Sequence, residues 1–421
     1  MTVSSPTTLT PTTAKAAGLG KVLAGFFGVQ LFVNIANGGT INSLVPNLIA
    51  SLDGANKVAI LGVAGAVAAV GGVISQPLWG HLSDRTRSRL GRRVPWIIAG
   101  SVGLALTVLG LAPTTSIVMV VVLYALVQVF YSMIAGPLSA IIPDRAPTSR
   151  RGVFSALGSL GVFVGGLIGV IVASQFVTEL PTGFAVMAAV VLVGGIAFAF
   201  ALRERNRPGV EVVVAERAPL RETLRSFLVD PRLHPDFYWA FVARLVLIVG
   251  YWSITSFQLY ILDDYIGLGL SKANAIFPVT TAVLGVAIIL AVVPAGIISD
   301  RIKRRKPFVI IASVVVAASS VIPIVSPTVP GVILSVGIAG LGIGTYLSVD
   351  QALMTEVLPN ASGSAGKDLG ILNIAQAGGQ VVSPLVASLV IGLAGYPALY
   401  GFAAIAAALA AVAILPIRSV R

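Results

Sequence analysis

From position 21 to 202 the chain alternates long apolar runs with short polar gaps. After a polar interval it does so again from 236 to 417. Cut at clusters of charge, Pro and Gly, the runs predict helices over 21–50, 58–79, 95–113, 116–143, 152–177 and 181–202. A second set follows over 236–265, 273–299, 307–326, 329–357, 366–394 and 396–417. Each has the roughly 18 or more residues that a bilayer crossing needs. The pattern predicts an all-α membrane protein with twelve spans in two six-helix bundles, 21–202 and 236–417. Segment 203–235 is too polar to span and is expected to link the bundles. The Ser/Thr/Pro-rich stretch 1–20 lacks the apolar core of a signal peptide and is expected to be a disordered tail, and 418–421 a second tail.

Composition sharpens this picture. Hydrophobic residues make up 56% of the chain and charged residues only 10%, against about 25% charged in soluble domains. A formal charge of +12 would suggest nucleic acid in a soluble protein. Here all of the Lys and Arg except Lys57, Lys272 and Arg244 fall on one side of the predicted topology, in the tails, the linker and the connections from even to odd spans. That asymmetry encodes orientation, so both termini and the linker are expected on the cytoplasmic side of the cell membrane, and nucleic acid is not expected as a partner. The opposite connections carry Asp53, Glu179, Asp263 and Asp264. The absence of cysteine and the lack of any paired-histidine motif point to no metal centre. No phosphate-cradling GxxxxGK[ST] loop is present either, so no cofactor is expected and ion gradients must supply any energy.

The halves repeat each other. Span 2 ends in "GHLSDR" and span 8 in "GIISDR"; span 4 ends in "AIIPDRAP" and span 10 in "ALMTEVLP", both A-x-x-x-acid-x-x-P. Duplicated bundles of this kind are a transporter architecture with a solute site between the halves. Gly80, Asp84 and Arg85 with Gly91-Arg92-Arg93 resemble the loop 2–3 signature of the major facilitator superfamily, and Asp300-Arg301 resembles its echo in the second half. The fuller string "SDRTRSRLGRRVPW", with "GPLSAIIPD" in span 4 and "LGILNIA" in span 11, is similar to the glycoside–cation symporters and sucrose carriers of that superfamily. The resemblance implies symport of a small sugar or glycoside by alternating access. Span 2 has none of the acids that hold sodium in melibiose-type symporters, so protons become the expected coupling ion. The glycines of span 5 come without the Gly-Pro of drug/proton antiporters, yet a proton-antiporting exporter of drugs or metabolites stays open as the second reading. Where the sucrose carriers have Pro-Gln after "LNIA", this chain has Gly379-Gln380.

In that superfamily spans 1, 4, 7 and 10 line the central cavity. Polar residues at helical spacing mark one face on each. Gln30, Asn34 and Asn37 lie on span 1; Tyr124, Gln128 and Tyr131 on span 4; Arg244, Tyr251, Thr255 and Gln258 on span 7, beside Trp252; Tyr346 and Asp350 on span 10. Span 11 adds Asn373, Gln376 and Gln380. Such faces are costly against lipid. They suit interhelical hydrogen bonding or a wet cavity whose amides and aromatic rings meet a polyhydroxylated solute. Gly158, Gly161, Gly165 and Gly169 on span 5 suit close packing within a monomer.

Ionisable residues deep in a span are the sharpest signal. Arg244 lies about 12 Å into span 7, and Asp350 sits near the same depth in span 10, so the two are expected to pair. Either the pair is structural or Asp350 carries the coupled proton and releases Arg244. Asp144 and Glu356 close spans 4 and 10; by resemblance Asp144, Pro147 and Arg151 belong to a cytoplasmic charge network of sugar porters, although a proton site at Asp144 is the alternative. With Asp84, Arg85, Arg92, Arg93, Asp300 and Arg301 these residues are expected to form a latch in each half, closed when the cavity faces outward and broken when it opens inward.

Overall fold

The structure, a computed structural model, describes residues 19–145, 150–202, 235–302, 304–356 and 365–417. The stretches expected as tails and linker thus lie outside the described residues, apart from Leu19 and Gly20, which already belong to the first helix, and Pro235, which opens the seventh. The fold is all helical among the described residues. In the first half α1 runs over Leu19–Leu52, α2 over Lys57–Arg85, α3 over Val94–Leu111, α4 over Ile117–Ser139, α5 over Arg151–Ala173 and α6 over Leu180–Ala201. In the second, α7 is Pro235–Thr255, α8 Leu270–Ile302, α9 Lys306–Val325 and α10 Val329–Glu356. The helical run Ala365–Ile414 is long enough for two spans. It breaks into α11 and α12 at Gly395, whose φ of 78° and ψ of −178° no side-chain-bearing residue adopts readily.

Two boundaries differ instructively from the sequence expectation. The "GHLSDR" and "GIISDR" strings are the last turns of α2 and α8, which run on to Arg85 and Ile302, past the expected ends at 79 and 299. Nothing in either string breaks a helix, and α2 stops only where Thr86 turns extended. The first helix of each half also widens into a π turn near its end, at Thr40–Leu44 in α1 and at Ile261–Tyr265 beyond α7.

The halves pack by the same plan. In the first, α1 lies against α5 and α6, and α4 against α2 and α3; in the second, α7 lies against α11 and α12, and α10 against α8 and α9. Close approach requires small residues. A Cβ on Gly165 would stand 2.5 Å from the Leu31 carbonyl oxygen of α1, and one on Gly169 would collide with the Ile35 carbonyl. The outer surface is apolar, with Ile74, Leu106, Val118, Leu290 and Leu389 well exposed. A soluble monomer does not show so much exposed apolar surface; lipid is the solvent that suits it.

One end carries the arginines of 85–93 and 301–305, and is called the basic end here. The other, far end has only short connections: 53–56, 112–116, 177–179, 266–269, 326–328 and Gly395 alone. In the first of these Asp53 accepts hydrogen bonds from the Asn56 backbone and side chain at 3.0 and 2.9 Å, and they hold its carboxyl below the usual range.

Candidate functional site

Between the halves lies a cavity of about 560 Å³. Asn34, Asn37, Tyr124, Gln128, Tyr131, Tyr251, Trp252, Thr255, Gln258 and Gln380 all line it. The 3.6-residue periodicity places these groups together, because each helix turns one stripe towards the other half. Asn34 is held in place from two sides. Its Nδ2 donates to the Gln30 carbonyl at 2.7 Å, and its Oδ1 accepts from the Tyr131 hydroxyl at 3.1 Å. Tyr251 and Trp252 meet edge to face at 5.8 Å, presenting a ring edge and a ring face in one wall.

Three of the expected solute-binding residues do not line this cavity. Gln30 packs against the glycines of α5. Gln376 accepts a hydrogen bond from Arg244 Nη2 at 2.5 Å instead. Tyr346 is 2% exposed and lies in the core of the second half, so α10 contributes Ser335, Val336 and Ala339 from its far-end half. The side chain of Asn373 lies outside the described residues, as do those of Arg151, Asp300 and Glu356.

The cavity also has walls that the residue pattern did not announce. Gly65, Ala68 and Ala69 of α2, Val162 and Phe163 of α5, and Thr280 and Thr281 of α8 face it, with Asn42, Ser319 and Ser320. Thr280 and Thr281 donate to the Phe277 carbonyl, and Ser319 and Ser320 to Val316. Hydroxyls that satisfy themselves on their own helix look neutral in a sequence. The doubled Thr-Thr and Ser-Ser in otherwise apolar spans were the available signal.

Arg244 and Asp350 meet inside the second half, Nε to Oδ2 at 3.4 Å, each side chain 2% exposed. Arg244 Nε and Asp350 Oδ1 have no hydrogen-bond partner, and the Tyr346 hydroxyl has none either. A buried ion pair with polar atoms left over is a poor stabilising device.

At the basic end Arg93 gathers the first half's charge cluster. Its Nη2 stands 2.7 Å from Asp84 and 2.9 Å from Asp144, and its Nη1 donates to Ser83 Oγ at 2.7 Å. Arg92 adds a longer contact to Asp144 at 3.4 Å. Arg85 and Arg301 are exposed. At the far end the two halves are bonded to each other, through Asn47 and Asn274 and through Lys57 with Asp263 and Asp264. Asp84, Arg92, Arg93 and Asp144 all belong to the first half, as expected of a latch made within each half.

The family model described as Major Facilitator Superfamily matches residues 27–366 and 260–421. A sucrose transport protein of Arabidopsis thaliana is 31% identical over 116 residues, 23% of this chain and 23% of that one. A multi-drug resistance efflux pump of Streptococcus pneumoniae is 30% identical over 181 residues, 41% of this chain and 42% of the pump. The chain thus matches less than half the length of these curated relatives. Among solved structures, the nucleoside transporter NupG superposes with a TM-score of 0.75 at 13% identity, covering 94% of this chain and 99% of that one. Apolar helices that, among the described residues, pack twice by one plan around a shared cavity, and a family match reaching from the first helix to the last residue, lead to one conclusion: this multi-pass membrane protein is a transporter belonging to the Major Facilitator Superfamily.

Proposed function

We propose that the protein carries a small sugar or glycoside together with protons, by alternating access of the cavity to the two sides of the cell membrane. One observation carries the reading. The cavity wall combines carboxamides (Asn34, Asn37, Gln128, Gln258 and Gln380) with the rings of Tyr131, Tyr251 and Trp252. Amides both donate and accept, as do sugar hydroxyls, and rings cover the apolar face of a pyranose. The cavity's size suits a solute of one or two rings. The local similarity to a sucrose transport protein supports the same class. The two six-helix halves, 21–202 and 236–417, act as the rocking units, with both termini and the basic end cytoplasmic.

In this reading Asp350 takes up the coupled proton. Neutralising it removes the partner of Arg244, which then answers to Gln376 alone. The cavity is reached from that pair along α7, where Arg244 is followed two and three turns on by Tyr251 and Thr255. The Asp84–Arg93–Asp144 cluster serves as a strut that keeps the basic end of the first half rigid.

Export of drugs or metabolites in exchange for protons is the second reading. It is favoured by the apolar panels of α2 and α5 in the cavity and by the longer match to an efflux pump. Vesicles loaded with the purified protein separate the two. An inward proton gradient should drive accumulation of a labelled disaccharide in symport. Gradient-driven extrusion, or movement of lipophilic cations but no sugar, would replace the first reading with the second.

A further inference from the structure

The buried ion pair of the second half turns away from the cavity. Arg244 and Asp350 face each other, and Arg244 also bonds Gln376; none of the three lines the cavity. At the two ends of the molecule Arg93 is tied to Asp84 and Asp144, and Lys57 to Asp263 and Asp264. Among the described residues, every polar side chain that does line the cavity is neutral: carboxamides, phenols, the Trp252 indole and hydroxyls. An ionised group that enters gives up water without meeting a counter-charge, which is costly.

The unused hydrogen-bonding atoms of the wall define which neutral group fits. Asn37 Oδ1 and Gln128 Oε1 are buried acceptors without a partner, and Gln258 Nε2 is a buried donor without one. Asn37 and Gln258 stand at matching places, each three residues before the π turn of its half. The first half therefore offers an acceptor where the second offers a donor, and Gln128 of α4 brings another acceptor. A carboxylate or ionised phosphate only accepts, so it leaves Asn37 and Gln128 unsatisfied. An ammonium only donates, so it leaves Gln258 unsatisfied. A hydroxyl accepts from Gln258 and donates to Asn37 or Gln128, and so satisfies atoms of both kinds. Thr280, Thr281, Ser319 and Ser320 have given their hydrogens to their own helices and add lone pairs without charge.

We propose that the cavity admits uncharged, hydroxyl-bearing solutes and rejects ionised ones of either sign, with Asn37, Gln128 and Gln258 as the residues that enforce the choice. Sugar phosphates, uronates, protonated amino sugars and lipophilic cations fall outside the accepted class. The inference rests on the cavity being the solute site, which both transport readings share.

The chain has no cysteine, so one introduced thiol reports without background. Ala69 lines the cavity one turn along α2 from Gly72, where an added Cβ would stand 3.7 Å from Gln128 Cβ. Ala69→Cys in lipid nanodiscs would be treated with methanethiosulfonates of similar size: neutral hydroxyethyl, anionic sulfonatoethyl and cationic aminoethyl. Each rate is divided by that of the same reagent with 2-mercaptoethanol. Both charged reagents should react about tenfold or more slower than the neutral one, the scale of one unmade hydrogen bond to a charged group. Either charged reagent slowed by less than about tenfold overturns the proposal. Adding Gln128→Arg, which stays ionised when buried, should restore the sulfonate's rate and leave the ammonium's low. A sulfonate that stays slow in the monodisperse double variant marks size rather than charge as the filter, and also overturns the proposal. The readout uses no solute and no proton gradient, so its failure is distinct from failure of the sugar reading.

Discussion

Arg93 Nη2 meets both Asp84 and Asp144, at 2.7 and 2.9 Å, while Nε also donates to Asp144 at 3.2 Å, and the guanidinium thereby ties the end of α2 to the short helix Ile141–Arg145 that follows α4. Arg93→Ala leaves two neighbouring carboxylates and Ser83 without their common donor. The side chain is 6% exposed and the acids 35% and 26%, so the expected loss is about 1–2 kcal/mol, between surface and buried values. A lowered midpoint of thermal unfolding in lipid nanodiscs checks it. Arg93→Lys should recover only part, because an ammonium cannot serve both acids and Ser83 with one planar fork.

Arg244 and Asp350 separate stability from coupling. Arg244→Met strands a carboxylate in the core and should cost about 3–5 kcal/mol. Arg244→Met with Asp350→Leu removes both charges and should regain most of that stability, while uptake no longer responds to a proton gradient. A double variant that still concentrates solute against its gradient would remove the pair from the coupling mechanism.

Gln128 lines the cavity, and its Oε1 has no hydrogen-bond partner. Gln128→Leu should therefore weaken solute binding by about fivefold, the value of one ordinary hydrogen bond, with little change in the unfolding midpoint. Titration of a disaccharide that stabilises the parent protein against heat provides the measurement.

Glycine contacts offer a contrast within one protein. Gly169→Ala drives a methyl into the Ile35 carbonyl of α1, a backbone atom that cannot step aside. A loss of about 1–3 kcal/mol is expected. Gly285→Ala in α8 meets open space and should be neutral or slightly stabilising, through better helix propensity. Parallel thermal melts compare them directly.

Much of this architecture was legible in the chain. The apolar runs and the duplicated "SDR" and A-x-x-x-acid-x-x-P strings carry the fold, since a bilayer leaves a helical segment few alternatives. The amides of the first and seventh spans announced the cavity, because unpaired polar groups are costly there. The spacing argument also anticipated that Arg244 and Asp350 meet. What stayed hidden was which side of a helix a residue faces once a second partner competes for it. Gln376 shares the spacing of Gln380, yet it turns to Arg244 while Gln380 turns to the cavity. The far-end contacts were invisible for another reason. Lys57, Asp263 and Asp264 read as ordinary loop charges, and their meeting depends on how two halves more than 200 positions apart lean together.

The short far-end connections, ending in one glycine between α11 and α12, have a practical consequence. On that side the molecule offers an antibody fragment no protruding epitope, only helix tips and the seam between them. A binder raised against that face must straddle both halves to find enough surface, and would trap whichever arrangement it was selected on. Affinity tags and fusion partners belong on the opposite face.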